Sequence, residues 1–166
     1  LDFTTNETFG AVTMSASHNT TKTIATGDSM IVTGTLTLTD GRWATGTIEA
    51  QGDVTVGTGF DTVPGAPLKF TGGATQTFTL TGAEALLDAD ITVNKSGGAV
   101  NLASALTMNA NSQDLIIQEG TFDLSSFALS VTAAATETLI VETGGNLQLQ
   151  GGETITGDSA SYPQLD

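Results

Sequence analysis

A run of short alternating segments that returns about six times along the chain limits its fold more than any other feature, because a repeat of this length builds a solenoid with assignable faces. The clearest copies lie in the C-terminal half: GAVNLASALTMNANSQDLIIQE, then GTFDLSSFALSVTAAATETLIVET, then GGNLQLQGGETITG. Each opens with glycine and runs through three strand-like pieces. Aligning the first pieces puts Val100, Phe122 and Leu147 in one column and Leu102, Leu124 and Leu149 in the next, at steps of 22 and 25 residues.

The same template extends backwards through LKFTG, TFTLTG and DITVN, through TLTLT, TGTIEA and DVTV, and through AVTM, TKTIA and SMIVT. On this alignment the first-strand column continues as Phe70, Leu36 and Val12. The longer steps around Phe70, of 34 and 30 residues, are then assigned to insertions at GTGFDTVPGAP and AEALLDA, the latter read as a loop or lid.

Successive side chains on a strand point to opposite sides, so period-2 alternation identifies the inward residues. Leu36 and Leu38, Val54 and Val56, Phe78 and Leu80, Ile91 and Val93, Leu106 and Met108, Leu129 and Val131, and Leu139 and Val141 are expected to stack into an apolar interior. A β-sandwich accounts for the alternation but not for the repeat. Coils of about 22 to 25 residues suit three strands and three turns, each coil pairing with the next about 4.8 Å along the axis. The expected fold is all-β, a right-handed parallel β-helix of about six coils in a single domain, 1–166, with an N-terminal arm (1–8), coils (9–157) and a C-terminal tail (158–166).

Charge excludes whole classes of partner. A net charge of −14 with four basic residues, Lys22, Arg42, Lys69 and Lys95, opposes nucleic-acid binding and polybasic membrane contact. No apolar run approaches the roughly 18 residues of a membrane span. There is no cysteine. Low lysine with abundant Thr, Ser, Asn and Gly points to an extracellular or cell-surface location. The chain starts at Leu1, which either signal cleavage or excision from a longer chain explains.

The inventory for catalysis is poor. His18, the one histidine, sits in a turn-like ASHNTTK, so no Ser-His-Asp site is expected. Asp88 with Asp90, or Asp53 near Glu49, are the carboxylate pairs a glycosidase could use. The carbohydrate-cleaving β-helix families, however, carry Lys, Arg or His beside their carboxylates, and no such motif occurs here. The chain is expected not to be an enzyme and to need no cofactor. A single GTGFDTV matches the core of the calcium-binding nonapeptide and makes Asp61 the one candidate calcium ligand, in a motif that works as tandem copies.

Three surface features remain. Outward hydroxyls on the second strands, Thr23, Thr47, Thr79, Thr107, Ser130 and Thr156, form a column that resembles the threonine faces of ice-binding proteins; threonine is also simply favoured on exposed strands. Ile116 and Ile140 face outward beside Thr92 and Thr55 as a small apolar strip. Arg42-Trp43 is the one candidate contact pair for a carbohydrate or a partner subunit, unless the tryptophan packs inward.

The ends carry the main functional expectation, because an uncapped coil invites another chain. LDFTT (Leu1, Asp2, Phe3, Thr4, Thr5) alternates like the third strand of a preceding, incomplete coil, whereas GDSASYPQLD lacks a good third strand after Leu147, Leu149 and Ile155. Head-to-tail stacking into a homopolymer, with this arm completing the last coil of the next subunit, follows as an expectation. Strings such as DITVNKSGGAVNLASALTM and GTFDLSSFALSVTA resemble the β-helix stalks of bacterial surface adhesins and autotransporter passengers over most of residues 10 to 157, and phage tail-fibre shafts share the style. That resemblance implies a spacer, fibre or adhesive stalk.

Overall fold

The computed structural model describes residues 6–17, 20–60, 65–82, 89–110, 113–132, 138–157 and 164–165. Among them there is no helix, and the strands stack in parallel as a β-solenoid of about 6 turns. The alternation sets this outcome. Strands whose every second residue is apolar can bury one side, and stacking successive turns buries all of them in one column.

Three faces surround that column. The third face, the longest ladder, runs β1 (Glu7–Phe9), β4 (Ser29–Val32), β6 (Thr47–Ala50), β8 (Leu68–Phe70), then the starts of β10 (Ile91–Leu102), β12 (Leu115–Asp123) and β14 (Leu139–Gln148), and ends on β16 (Gln164–Leu165). The first face runs β2 (Val12–Ser15), the start of β5 (Leu36–Ala44), β7 (Val54–Phe60), β9 (Gln76–Leu80) and the ends of β10, β12 and β14. The second face pairs β3 (Thr21–Thr23) with the end of β5, and separately stacks β11 (Leu106–Met108), β13 (Leu129–Val131) and β15 (Ile155–Gly157).

The inward residues expected from alternation are buried, with Val141 only half so. On the third face Met30, Ile48, Leu68, Ile91, Leu115 and Leu139 stand in one row. Each fully buried side chain of this size contributes roughly 1.5–3 kcal/mol. Phe70 and Phe78 meet edge to face across the interior, with ring centroids 5.2 Å apart.

The repeat phase expected for residues 45 to 80 is corrected. TGTIEA lies on the third face as β6, not on the second, and DVTV opens the next turn on the first face as β7. LKFTG is a third-face strand, β8, so Phe70 pairs with Ala50 and Val93 and not with the Val12 and Leu36 column. TFTLTG is a first-face strand, β9. The first-face row is Val12, Leu36, Val54 and Phe78, then Leu102, at steps of 24, 18, 24 and 24 residues. One turn is therefore short, and no insertion before Phe70 is needed to explain the spacing. The short turn arises because β5 bends at Gly41 (φ 91°) and runs on across the second face without a separate loop.

Side chains tie turn to turn. Thr33 and Thr39 hydroxyls donate to the Phe9 and Met14 carbonyls of the preceding turn, both at 2.9 Å. Carboxylates cap the strand starts above them: Asp53 accepts from the Thr77 amide at 2.7 Å, Asp90 from the Asp114 amide at 3.1 Å, and Asp114 from the Thr138 amide at 2.8 Å. At the corner after β6 the turns approach so closely that a Cβ on Gly52 would lie 2.3 Å from the Gly34 carbonyl oxygen, which only glycine tolerates.

Candidate functional site

The second-strand hydroxyl column expected from the sequence is divided among three faces. Thr107, Ser130 and Thr156 do stack on β11, β13 and β15. Thr23 stands opposite Ala44 on β3, Thr47 opposite Ser29 on the third face, and Thr79 opposite Thr55 on the first. The shift in phase that moved β6 and β9 moved their threonines too. In its place, Thr13, Thr37, Thr55 and Thr79 form an in-register row on four successive turns of the first face. Thr13 is exposed and the others half-buried. Sequence reasoning assigned these strands to different faces and so missed the row, although period-2 alternation marked every member as outward.

On the third face the outward row reads Ile31, Glu49, Lys69, Thr92, Ile116 and Ile140. The isoleucine pair stacks as expected, each side chain half-buried, with Thr92 beside it; Thr55 belongs to the first face instead.

Of the carboxylate pairs, Glu49 and Asp53 lie on different faces. Glu49 lies on the third face, where it accepts from the Thr71 hydroxyl at 3.0 Å, and Asp53 on the first, where it caps Thr77. Asp90 is engaged by the Asp114 amide. Asp61, His18, Asp88 and the Leu1 to Thr5 arm lie outside the described residues, and among the described residues no group of three or more His, Cys, Asp or Glu could hold a metal ion. Trp43 is 4% exposed and packs inward, while Arg42 Nε donates to the Thr21 hydroxyl.

Two ends remain. At the N-terminal end it is Glu7–Phe9 that occupies the third-strand place expected for the arm, pairing with Met30 to Val32. Among the described residues strands β1, β2 and β3 are each paired on one side only, and between them opens a cavity of about 460 Å³ lined by Phe9, Val12, Met14, Lys22, Met30 and Trp43, among others.

At the C-terminal end β16 supplies a short third strand against Ile140 and Val141, in the position reserved by sequence reasoning for another subunit's arm. The strand exchange expected from the sequence therefore meets an occupied place. The two residues Gln164 and Leu165 are too few to be recognised as a strand by alternation alone. Among the described residues the other two faces still end in unpaired edges: Leu149 is 52% and Ile155 41% exposed, and Leu147 is half-buried. The turn before β15 is held by Glu153, whose carboxylate accepts from the amides of Gln150 at 2.6 Å, Gly151 at 2.7 Å and Ser126 at 3.0 Å. These bonds, the Gln150 amide foremost, hold its carboxyl below the ordinary 4.5.

The chain matches no protein-family model, no curated protein and no solved structure.

Proposed function

We propose that this chain is a non-catalytic structural solenoid of the cell exterior, a rigid rod segment that joins others turn on turn at its ends, as a filament unit or as part of an adhesive stalk. The observation that carries this reading is the C-terminal edge. Leu149 and Ile155 continue rows whose interior members, Leu124 and Leu129, are fully buried, and beside them the backbone of β15 and of the end of β14 is unpaired on its outer side among the described residues. An apolar row that stops in solvent under an open strand edge is what a further turn covers. The contact is heterologous, end to opposite end, and so propagates. Charge favours the same polarity: Lys22 and Arg42 lie toward the N-terminal end, and no basic residue follows Lys95. Strand exchange through Leu1 to Thr5 is not part of this proposal, since β16 fills the place that arm would take.

Negative-stain microscopy and light scattering over a concentration series test it. Association that grows with concentration, and that weakens about tenfold or more in a Leu149→Asp, Ile155→Asp double variant, is the expected result. Single particles at all concentrations would exclude self-stacking.

The threonine row on the first face favours a second reading, a face that binds ordered water or a glycan. None of the Thr13, Thr37, Thr55 or Thr79 hydroxyls bonds to another described residue, which leaves all four free for an external ligand. Ice-growth inhibition by the wild-type chain, lost on Thr37→Lys with Thr55→Lys while the melting temperature is kept, is the expected result on this reading. Normal ice growth and no retention on a glycan panel would remove it.

A further inference from the structure

We infer that the N-terminal mouth of the solenoid binds a small amphipathic carboxylate. Lys22 on β3 and Trp43 on β5 are directly in register on adjacent parallel strands, so their Cα atoms are about 4.8 Å apart and their side chains leave the sheet on the same side. Trp43 faces the interior, and both residues line the cavity of about 460 Å³. Its indole N–H is the one buried side-chain donor or acceptor without a hydrogen-bond partner among the described residues. An orphaned donor of this kind costs roughly 1–3 kcal/mol, and native structures rarely keep one without a reason. Lys22 is half-buried beside it and meets no carboxylate or other hydrogen-bond partner among the described residues.

The unpartnered cation of Lys22 calls for an acceptor that is anionic, and a carboxylate has a second oxygen to offer the indole N–H. The rest of the wall is mostly apolar, with Phe9, Val12, Met14 and Met30 beside the hydroxyls of Thr13 and Ser15, and asks for a hydrocarbon or ring body. The volume falls toward the small end of ligand pockets, which run from about 300 to 1,000 Å³. An inward lysine at a sheet edge can serve only to discourage pairing, but that role leaves the indole N–H unexplained. A second copy of the chain does not answer both donors either. Among the described residues, Glu153 at its C-terminal end is already taken up by three amides.

The inference stands apart from end-to-end stacking, and its test uses protein dilute enough to be monomeric by light scattering. Trp43 is the only tryptophan, so the single indole N–H cross-peak in a ¹⁵N correlation spectrum reports on this site alone. Titration with decanoate, below its micelle concentration, is expected to move that peak downfield and to saturate. Lys22→Gln should weaken binding at least tenfold, Lys22→Arg should retain it, and decanol should bind at least tenfold more weakly than decanoate. An indole peak that does not move, equal binding by Lys22→Gln and wild type, or equal binding of decanol and decanoate would each overturn the assignment.

Discussion

Aspartate in place of Leu124 is expected to leave the chain unfolded at room temperature. Leu124 is 0% exposed and lies in the row that holds Leu102 on the turn before and Leu149 on the turn after. A carboxylate there has no cation to meet, since Lys95 is already committed and no other basic residue lies in the C-terminal half of the chain. An uncompensated buried charge costs several kcal/mol, to which the lost leucine packing adds about 2–5 kcal/mol, against a total stability of order 5–15 kcal/mol. Val131→Asp on β13 should behave alike. Leu149→Asp, in the same row but half exposed, should change stability by no more than about 0.5 kcal/mol. Thermal melts by circular dichroism decide it. A wild-type melting temperature for Leu124→Asp would mean that the inward assignment is wrong, and equal collapse of both leucine variants would mean that the last turn is as enclosed as the interior.

Lys95→Met is expected to cost about 2–4 kcal/mol, the second-largest effect. Lys95 lies where β10 turns from the third face to the first, 1% exposed, with no carboxylate partner among the described residues. Its ammonium donates to the Thr71 carbonyl at 3.2 Å, the Ala74 carbonyl at 2.8 Å and Gln76 Oε1, which uses all three of its protons. Gln76 in turn donates to the Ala50 and Gly52 carbonyls at 3.0 and 2.7 Å, so one network pins three successive corners. Methionine fills the volume but orphans three acceptors, and the relief of burying a charge offsets only part of that loss. Urea denaturation measures the change, and an unchanged midpoint would show that the network does not hold the corner.

The same residue gives a pH signature. Burial lowers the Lys95 pKa below its ordinary 10.5. Between the folded value and 10.5 the unfolded chain binds more protons than the folded one, so stability rises with pH through that window, and it does so only while Lys95 is present. Subtracting the Lys95→Met pH profile from the wild-type profile should leave a positive slope below pH 10.5. A flat or negative difference would contradict a desolvated ammonium.

Much of this molecule is legible in its residues taken one after another. Alternation in segments such as LTL, VTV and ITV fixed which side chains turn inward, because strand geometry leaves no other period. The glycine-led repeats after residue 97 fixed the parallel stacking of Val100 on Phe122 on Leu147. What could not be read was the face on which a strand lies. A period of two is identical on all three faces, so nothing local in TIEA or LKF distinguishes the third face from the first or second, and the frame slipped where β5 crosses a corner without a loop. The threonine row went astray with it. Lys95 sits in NKSGG, which reads as a solvated turn, and its acceptors lie 19 to 24 residues back along the chain, a separation that becomes contact only when turns stack. Lys22 and Trp43 likewise meet only through the register of β3 on β5. The sequence by itself determined an all-β chain with a defined inside and outside. Only the tertiary structure decided which outside residues share a face and which inside ones meet a charge, because those relations are set by the length of each turn around the axis and not by any neighbour in the chain.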